Sequence, residues 1–380
     1  MILFFAASRE QFGYFTRLKT HMALASAVVR SKEALLPSFR ALGAIGNFRP
    51  GEIIALKLKE KQQKRPLGTL ESAGYRLLLT LEVYWAFLRY YRVLAASGAT
   101  LLAVWNGHKL PQAVAIKVAG VLGMEVVYFE NGLFPRTTTV DFKGINYGNS
   151  VPRERSFFEN LEFDEDVALP QRLVAREANN REKFARGNVT LPERYIFVPF
   201  QVDHDTQIIL HSPWITDMEM LFETLQALPR HIRFVLKEHP SAIRDYGYLH
   251  ASCPENVMFA NSVDTQTLIE NAEAVMTINS TVGIEGLLLG KKVIVLGNAF
   301  YAIDGVCQKA GSREELEDVI SHIESWEPDR KVTENLLKYI QNVYAIPGSK
   351  SEPDDAHYRS VEARLREKVT EVGEDEAGDC

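Results

Sequence analysis

Apolar runs of four to six residues alternate with amphipathic stretches along most of the chain. The runs at 2–7, 100–105, 125–129, 195–199, 233–236, 256–259, 274–278 and 292–296 have the length of buried strands. Helical spacing predicts helices from a loop at 9–14 to about residue 30, then over 112–122, 216–228, 312–325 and 331–343. Residues 52–58 read as a strand or a helix start. The apolar run 76–96 is interrupted by Glu82 and Arg89 and reads as a long buried helix, not a membrane span. Repeated strand, turn and helix imply an α/β protein with doubly wound sheets.

Two domains follow from that pattern. Residues 1–190 form a first Rossmann-like half and 191–330 a second, with the boundary near Thr190 to Pro192. Residues 149–188 are polar, hold weak helical segments such as 169–186, and connect the halves. The helix within 331–346 is expected to pack back onto the first half. The tail 347–380 is polar and finally acidic, which predicts poor order there.

Polar residues stand at strand ends where a plain core would not need them. Lys237-Glu238-His239-Pro240 follows one run, and Asn279-Ser280-Thr281 follows another. In open α/β sheets ligands bind outside the carboxyl ends of the strands. Ser280 and Thr281 open a helix, where free N–H groups and the dipole favour phosphate; either could instead be only an N-cap. Glu285, one turn further, supplies a carboxylate suited to a ribose diol. Asn279 reads as fixing the loop before this helix. Asn106-Gly107 and Asn131-Gly132 are turn signals, both at strand carboxyl ends.

Length and charge narrow the classes. The chain has 380 residues, 46% of them hydrophobic, and a net charge of −6, which excludes a general nucleic-acid binder. Cys253, Cys307 and Cys380 lack metal-ligand spacing and fit a reducing compartment, so a cytoplasmic protein is expected. His204, His211 and His239 with Asp203 and Asp205 make a metal set only on paper, and no metal is expected. The glycines form neither a P-loop nor a dinucleotide fingerprint. The basic run 57–65, with Lys57, Lys59, Lys61, Lys64 and Arg65, is either a solvated face or a contact for an anionic acceptor or the inner leaflet.

The stretches FENGLFP, QVDHDTQIILHS, KEHP and INSTVGIEGLLLGKKVIVLG, with the following Tyr301, resemble the bacterial capsule-synthesis family of β-Kdo transferases. Each motif alone is weak; their order and spacing together are specific, over roughly 105–301. The resemblance implies a GT-B fold, two Rossmann-like domains facing across a cleft. It implies transfer of Kdo from CMP-Kdo, without metal or other cofactor, to a surface glycan or glycolipid, with retention. Glu130 matches the family's Glu-x-Gly motif as general acid/base. Asp205 is selected over Asp203 by its place three before Ile208, though by residues alone either could be a turn former or an N-cap. His239 is assigned the CMP phosphate and the departing charge, with Lys237 nearby. Ser280, Thr281 and Glu285 belong to the CMP side, and Gln201, Asn131, Gly132 and Asn279 are counted with the substrate-binding residues. The acceptor is expected between the Tyr14 loop and the turn at 106–108. His204 departs from the family's acidic or small residue, which leaves its role open. A different CMP-sugar transferase of sialyltransferase type, or a non-catalytic glycan-binding assembly subunit, are the alternative readings.

Overall fold

The computed structural model describes residues 1–163, 168–170 and 189–377. Its elements begin with β1 (Ile2–Ala6), α1 (Arg9–His21), β2 (Ser26–Arg30), a 3-10 segment (Phe39–Asn47), α2 (Gly51–Lys64) and α3 (Thr69–Ser97). There follow β3 (Leu101–Trp105), α4 (Gln112–Val121), β4 (Glu125–Asn131), β5 (Thr137–Asp141) and α5 (Arg155–Glu159). The next stretch holds β6 (Ile196–Pro199), α6 (Thr206–His211), α7 (Met218–Gln226), β7 (Phe234–Lys237), α8 (Gly247–Ala251) and β8 (Val257–Phe259). After it come α9 (Thr265–Asn271), β9 (Ala274–Thr277), α10 (Val282–Leu288), β10 (Lys292–Val295) and β11 (Gln308–Lys309). The chain closes with α11 (Arg313–His322), α12 (Arg330–Tyr339), β12 (Ile346–Pro347) and α13 (Asp355–Ala377).

These elements make two α/β units, each built on a six-stranded, mostly parallel sheet. One comprises Met1–Ser150 with Asn342–Cys380, the other Val151–Gln341. The division therefore falls at 150/151 and not near 190. The cause is α5, which packs on α12 of the second unit: Asn335 donates to the carbonyls of Phe158 and Leu161 at 2.8 and 2.9 Å. The helix expected at 169–186 lies almost wholly outside the described residues.

In the first unit the strand order is β12-β5-β4-β3-β1-β2. β1, β2, β3 and β4 run parallel, and β5 returns antiparallel to β4. β1 and β3 are buried on both faces, which is why ILFFA and LLAVW are unbroken apolar runs. One face packs Leu3, Phe5, Leu102 and Val104 against Leu79, Val83, Phe87 and Leu94 of α3. The other packs Phe4, Trp105 and Phe129 against Phe15 of α1 and Tyr358, Val361 and Leu365 of α13.

Three expectations change here. The first helix stops at His21, and Ser26–Arg30 is a strand, because its half-buried Ala-Val-Val pairs with β1. Tyr14 lies inside α1, wholly buried, not in a surface loop. The first part of the tail packs on the first unit: His357 and Tyr358 with Val361 and Leu365 bury one side of α13, and β12 pairs with β5. The segment that returns to the first unit thus begins at 342, beyond α12.

The second unit carries the order β11-β10-β9-β6-β7-β8, with every pair parallel. Renumbered from its own first strand, this is the 3-2-1-4-5-6 order of the dinucleotide folds. The winding reverses between β6 and β9. A crevice at the carboxyl ends of those two strands is where such sheets hold ligands.

Candidate functional site

The loop after β6 and the loop after β9 are joined at the reversal point. Gln201 Nε2 donates to Asn279 Oδ1 at 3.1 Å, and Gln201 Oε1 accepts from the Asn279 N–H at 3.1 Å. Asn279 Nδ2 donates in turn to the Gln207 carbonyl at 2.9 Å, which ties α6 to the same point. Gln201 and Asn279 therefore build the crevice floor, their amides bonded to each other and to the α6 backbone.

Asp205 is the N-cap of α6, its carboxylate accepting from the Gln207 N–H at 2.9 Å. It is half-buried, and the cap bond fixes its orientation. Asp203 is structural: buried, it accepts from the Met218 N–H at 2.9 Å and from the Tyr246 hydroxyl at 2.7 Å. Burial pushes the Tyr246 phenol far up, with Asp203 adding to it, so that hydroxyl stays a donor. Sequence reasoning missed Gln207, whose side chain is 9% exposed and whose Nε2 is buried with no hydrogen-bond partner. Only folding makes that donor an orphan, so no pattern could have marked it.

His239 lies past the end of β7, next to β6 in the sheet. Its Nδ1 accepts from the Ser241 N–H at 3.0 Å, which places the proton of the neutral ring on Nε2. Glu238 is buried, bound by Asn261 Nδ2 and His250 Nε2, each at 2.8 Å. Pro240 and this anchor hold the turn. Lys237 donates to the Val263 carbonyl, and burial lowers its pKa against the pull of Asp264.

Ser280 and Thr281 precede α10, with Thr281 as the N-cap. Ser280 Oγ accepts from the Val282 N–H at 3.2 Å, whereas the Thr281 side chain makes no cap bond. The Ser280 carbonyl accepts from the buried Tyr301 hydroxyl. Burial raises the Tyr301 pKa well above normal, so it remains a donor. A Cβ on Gly283 would sit 2.3 Å from that hydroxyl, so only glycine lets Tyr301 brace the loop. Glu285 lies half-buried in the first turn of α10.

In the first unit Glu130 is the penultimate residue of β4, just past the end of β3. Its carboxylate accepts from Asn106 Nδ2 at 2.8 Å, Trp105 Nε1 at 3.2 Å and the Asn131 N–H at 2.9 Å. Asn106 reaches it from a left-handed turn (φ 71°), its own Oδ1 accepting from the His108 N–H. Three donors fix the orientation of this carboxylate, as a general base requires. Asn131 is exposed. Gly132 has a structural reason: a Cβ there would meet the Thr137 hydroxyl at 1.8 Å in the β4–β5 hairpin. Among the described residues, no three His, Cys, Asp or Glu side chains are grouped to hold a metal ion.

The sites named from sequence thus gather on two surfaces. Asp205, His239, Ser280, Thr281, Glu285, Gln201 and Asn279 share the carboxyl edge of three adjacent strands in the second unit. Glu130, Asn131 and Gly132 lie on the first.

Residues 168–350 match the family described as capsule polysaccharide biosynthesis protein. That span contains every residue of the second-unit site and excludes Glu130. Protein FixF of Sinorhizobium fredii is 36% identical over 260 residues, 67% of this chain and 62% of that protein. The capsule polysaccharide export protein KpsS of Escherichia coli is 30% identical over 254 residues, 56% of this chain and 64% of that protein. The chain spans less than two thirds of the length of these curated relatives. Among solved structures, the KpsC β-Kdo 2,7 transferase of Thermosulfurimonas dismutans aligns at 15% identity and TM-score 0.48, covering 96% of this chain and 99% of that one.

Proposed function

Because residues 168–350 match the capsule polysaccharide biosynthesis family, we propose that the chain is a glycosyltransferase moving Kdo from CMP-Kdo to a hydroxyl of a bacterial surface glycan or glycolipid. The observation that carries this reading is the second unit's reversal point, where a cap-oriented carboxylate, a His with Nε2–H and two hydroxyls share one sheet edge. His239, Ser280 and Thr281 take the CMP phosphate, and Glu285 the ribose diol. Asp205 attacks the anomeric carbon as the bond to phosphate breaks and CMP departs, its charge met by His239. The acceptor oxygen then attacks the same carbon, the bond to Asp205 breaks, and Glu130 takes the hydroxyl proton. Two inversions retain configuration. A cytoplasmic location goes with this reading.

The test is incubation with CMP-Kdo and a panel of labelled glycan and glycolipid acceptors. Kdo on an acceptor with matching release of CMP is expected. Consumption of CMP-sialic acid in its place would make the chain a different CMP-sugar transferase. Glycan binding with no turnover of either donor would make it an assembly subunit.

A further inference from the structure

The 29-residue helix α3 is apolar on two opposite faces. Leu79, Val83, Phe87, Tyr90 and Leu94 are buried within the first unit. Leu70, Leu77, Leu78, Leu81 and Trp85 fall on one stripe at the opposite side, by the 3.6-residue period. They are from 49% (Trp85) to 89% (Leu70) exposed. Gly74 continues the stripe, and Glu71, Arg76 and Glu82 fall off it, so no charge interrupts it between Leu70 and Trp85. Helices of globular proteins place charge on this face.

More apolar surface adjoins it. The Ser38 N–H donates to the Leu88 carbonyl at 3.0 Å and Arg89 Nε to the Ala34 carbonyl at 2.5 Å. The chain carrying Leu35, Leu36 and Phe39, all exposed, therefore runs past the end of the stripe. Nine of the seventeen large apolar residues exposed among the described residues lie between Leu35 and Trp85. Such clustering marks an interaction surface, not scattered exposure.

Charge says what covers it. Residues 30–92 hold twelve Lys and Arg against five Glu, in a chain whose net charge is −6. Lys59, Lys61, Lys64 and Arg65 are exposed at the end of α2. That end is fastened beside α3 by Arg65 to Glu71 at 2.5 Å and by Lys61 over the Tyr75 ring at 5.8 Å. Lys57 is not part of the patch, since it pairs with buried Glu60 at 2.6 Å. A second copy docked on this face would bring two positive patches together, which opposes association. An apolar stripe flanked by lysines suits an anionic lipid surface. Among the described residues no helix is long and apolar enough to cross a membrane.

We infer that this face docks on an anionic bilayer, with α3 lying in the plane of the interface, Leu77, Leu81 and Trp85 at the headgroup boundary and the α2 lysines over acidic headgroups. The stripe from Leu70 to Trp85 is about 22 Å long at 1.5 Å per residue. The proposal is independent of the donor and of the reaction.

Co-sedimentation of the full chain with vesicles tests it. Phosphatidylcholine vesicles containing phosphatidylglycerol should bind more protein than phosphatidylcholine alone, and salt should weaken the binding. Tryptophan emission should shift to the blue on binding, and Trp85→Phe should bind while losing that shift. Leu77→Gln with Leu81→Gln changes only exposed side chains, so the circular dichroism should be unchanged and binding at least tenfold weaker. Lys59, Lys61 and Lys64→Gln should abolish the preference for anionic lipid. Indifference to vesicles, or a leucine variant that binds like wild type, overturns the proposal. A wild-type dimer that the leucine variant splits, with no vesicle binding, would give the face to a second copy instead.

Discussion

Asparagine caps a helix as well as aspartate does, so Asp205→Asn separates fold from chemistry. The cap of α6 survives that change, and CMP binding should too, while transfer is abolished. Asp205→Ala should in addition cost about 0.5–2 kcal/mol of stability, the usual worth of an N-cap. Denaturation curves and activity assays on both variants check this; an active Asn variant would remove Asp205 from the reaction. Gln207→Met removes an unpaired buried donor, so stability should hold or rise. If that amide meets the ligand, CMP affinity should fall by about 1 kcal/mol, the worth of one hydrogen bond. Unchanged affinity in titration calorimetry would leave Gln207 outside the site. The residues alone could not divide Asp203 from Asp205, because both precede a helix. The division comes from burial, which gives Asp203 to Tyr246 and Met218.

At the scale of elements, the α10 entry makes a sharp prediction. Thr281 makes no cap bond and Ser280 makes one to the Val282 N–H. Replacing both with Ala should therefore cost no more stability than the one bond at Ser280, about 0.5–1.5 kcal/mol, but weaken CMP binding by about 1–3 kcal/mol, the range of charge-assisted hydrogen bonds. Titration with CMP decides it, and unchanged affinity would end the phosphate assignment. Strands buried on both faces were legible as apolar runs, as at β1, β3 and β9. Those with a polar face were not. SAVVR of β2 follows a helix without a break in pattern and is half-buried throughout. TTTVD of β5 owes its place to antiparallel pairing with β4, a partner that local pattern cannot show. α13 was hidden by its charges, since its packing rests on few side chains spaced along one face.

For the molecule as a whole, His357 couples the chain's return segment to α1. Its Nδ1 donates to the Pro347 carbonyl at 2.7 Å, and its Nε2 accepts from the Tyr14 hydroxyl at 2.8 Å. Burial lowers its pKa, against smaller opposing effects of that carbonyl and Asp354. The unfolded chain then binds the proton first, at about pH 6.5. Stability from neutral His357 is complete above that value and is lost as the pH falls through the folded pKa. Denaturant titrations between neutral and mildly acid pH should show this loss, and His357→Gln, which cannot titrate, should flatten it. An equal pH slope in the variant would clear His357. The central claim, retaining transfer of Kdo through Asp205, is tested most directly by intact-protein and peptide mass spectrometry of Glu130→Gln incubated with CMP-Kdo. With the acceptor step slowed, a Kdo adduct should accumulate on the peptide that holds Asp205, and CMP should be released in equal amount. An unmodified protein that yields product of inverted anomeric configuration, or an adduct elsewhere, would contradict the account.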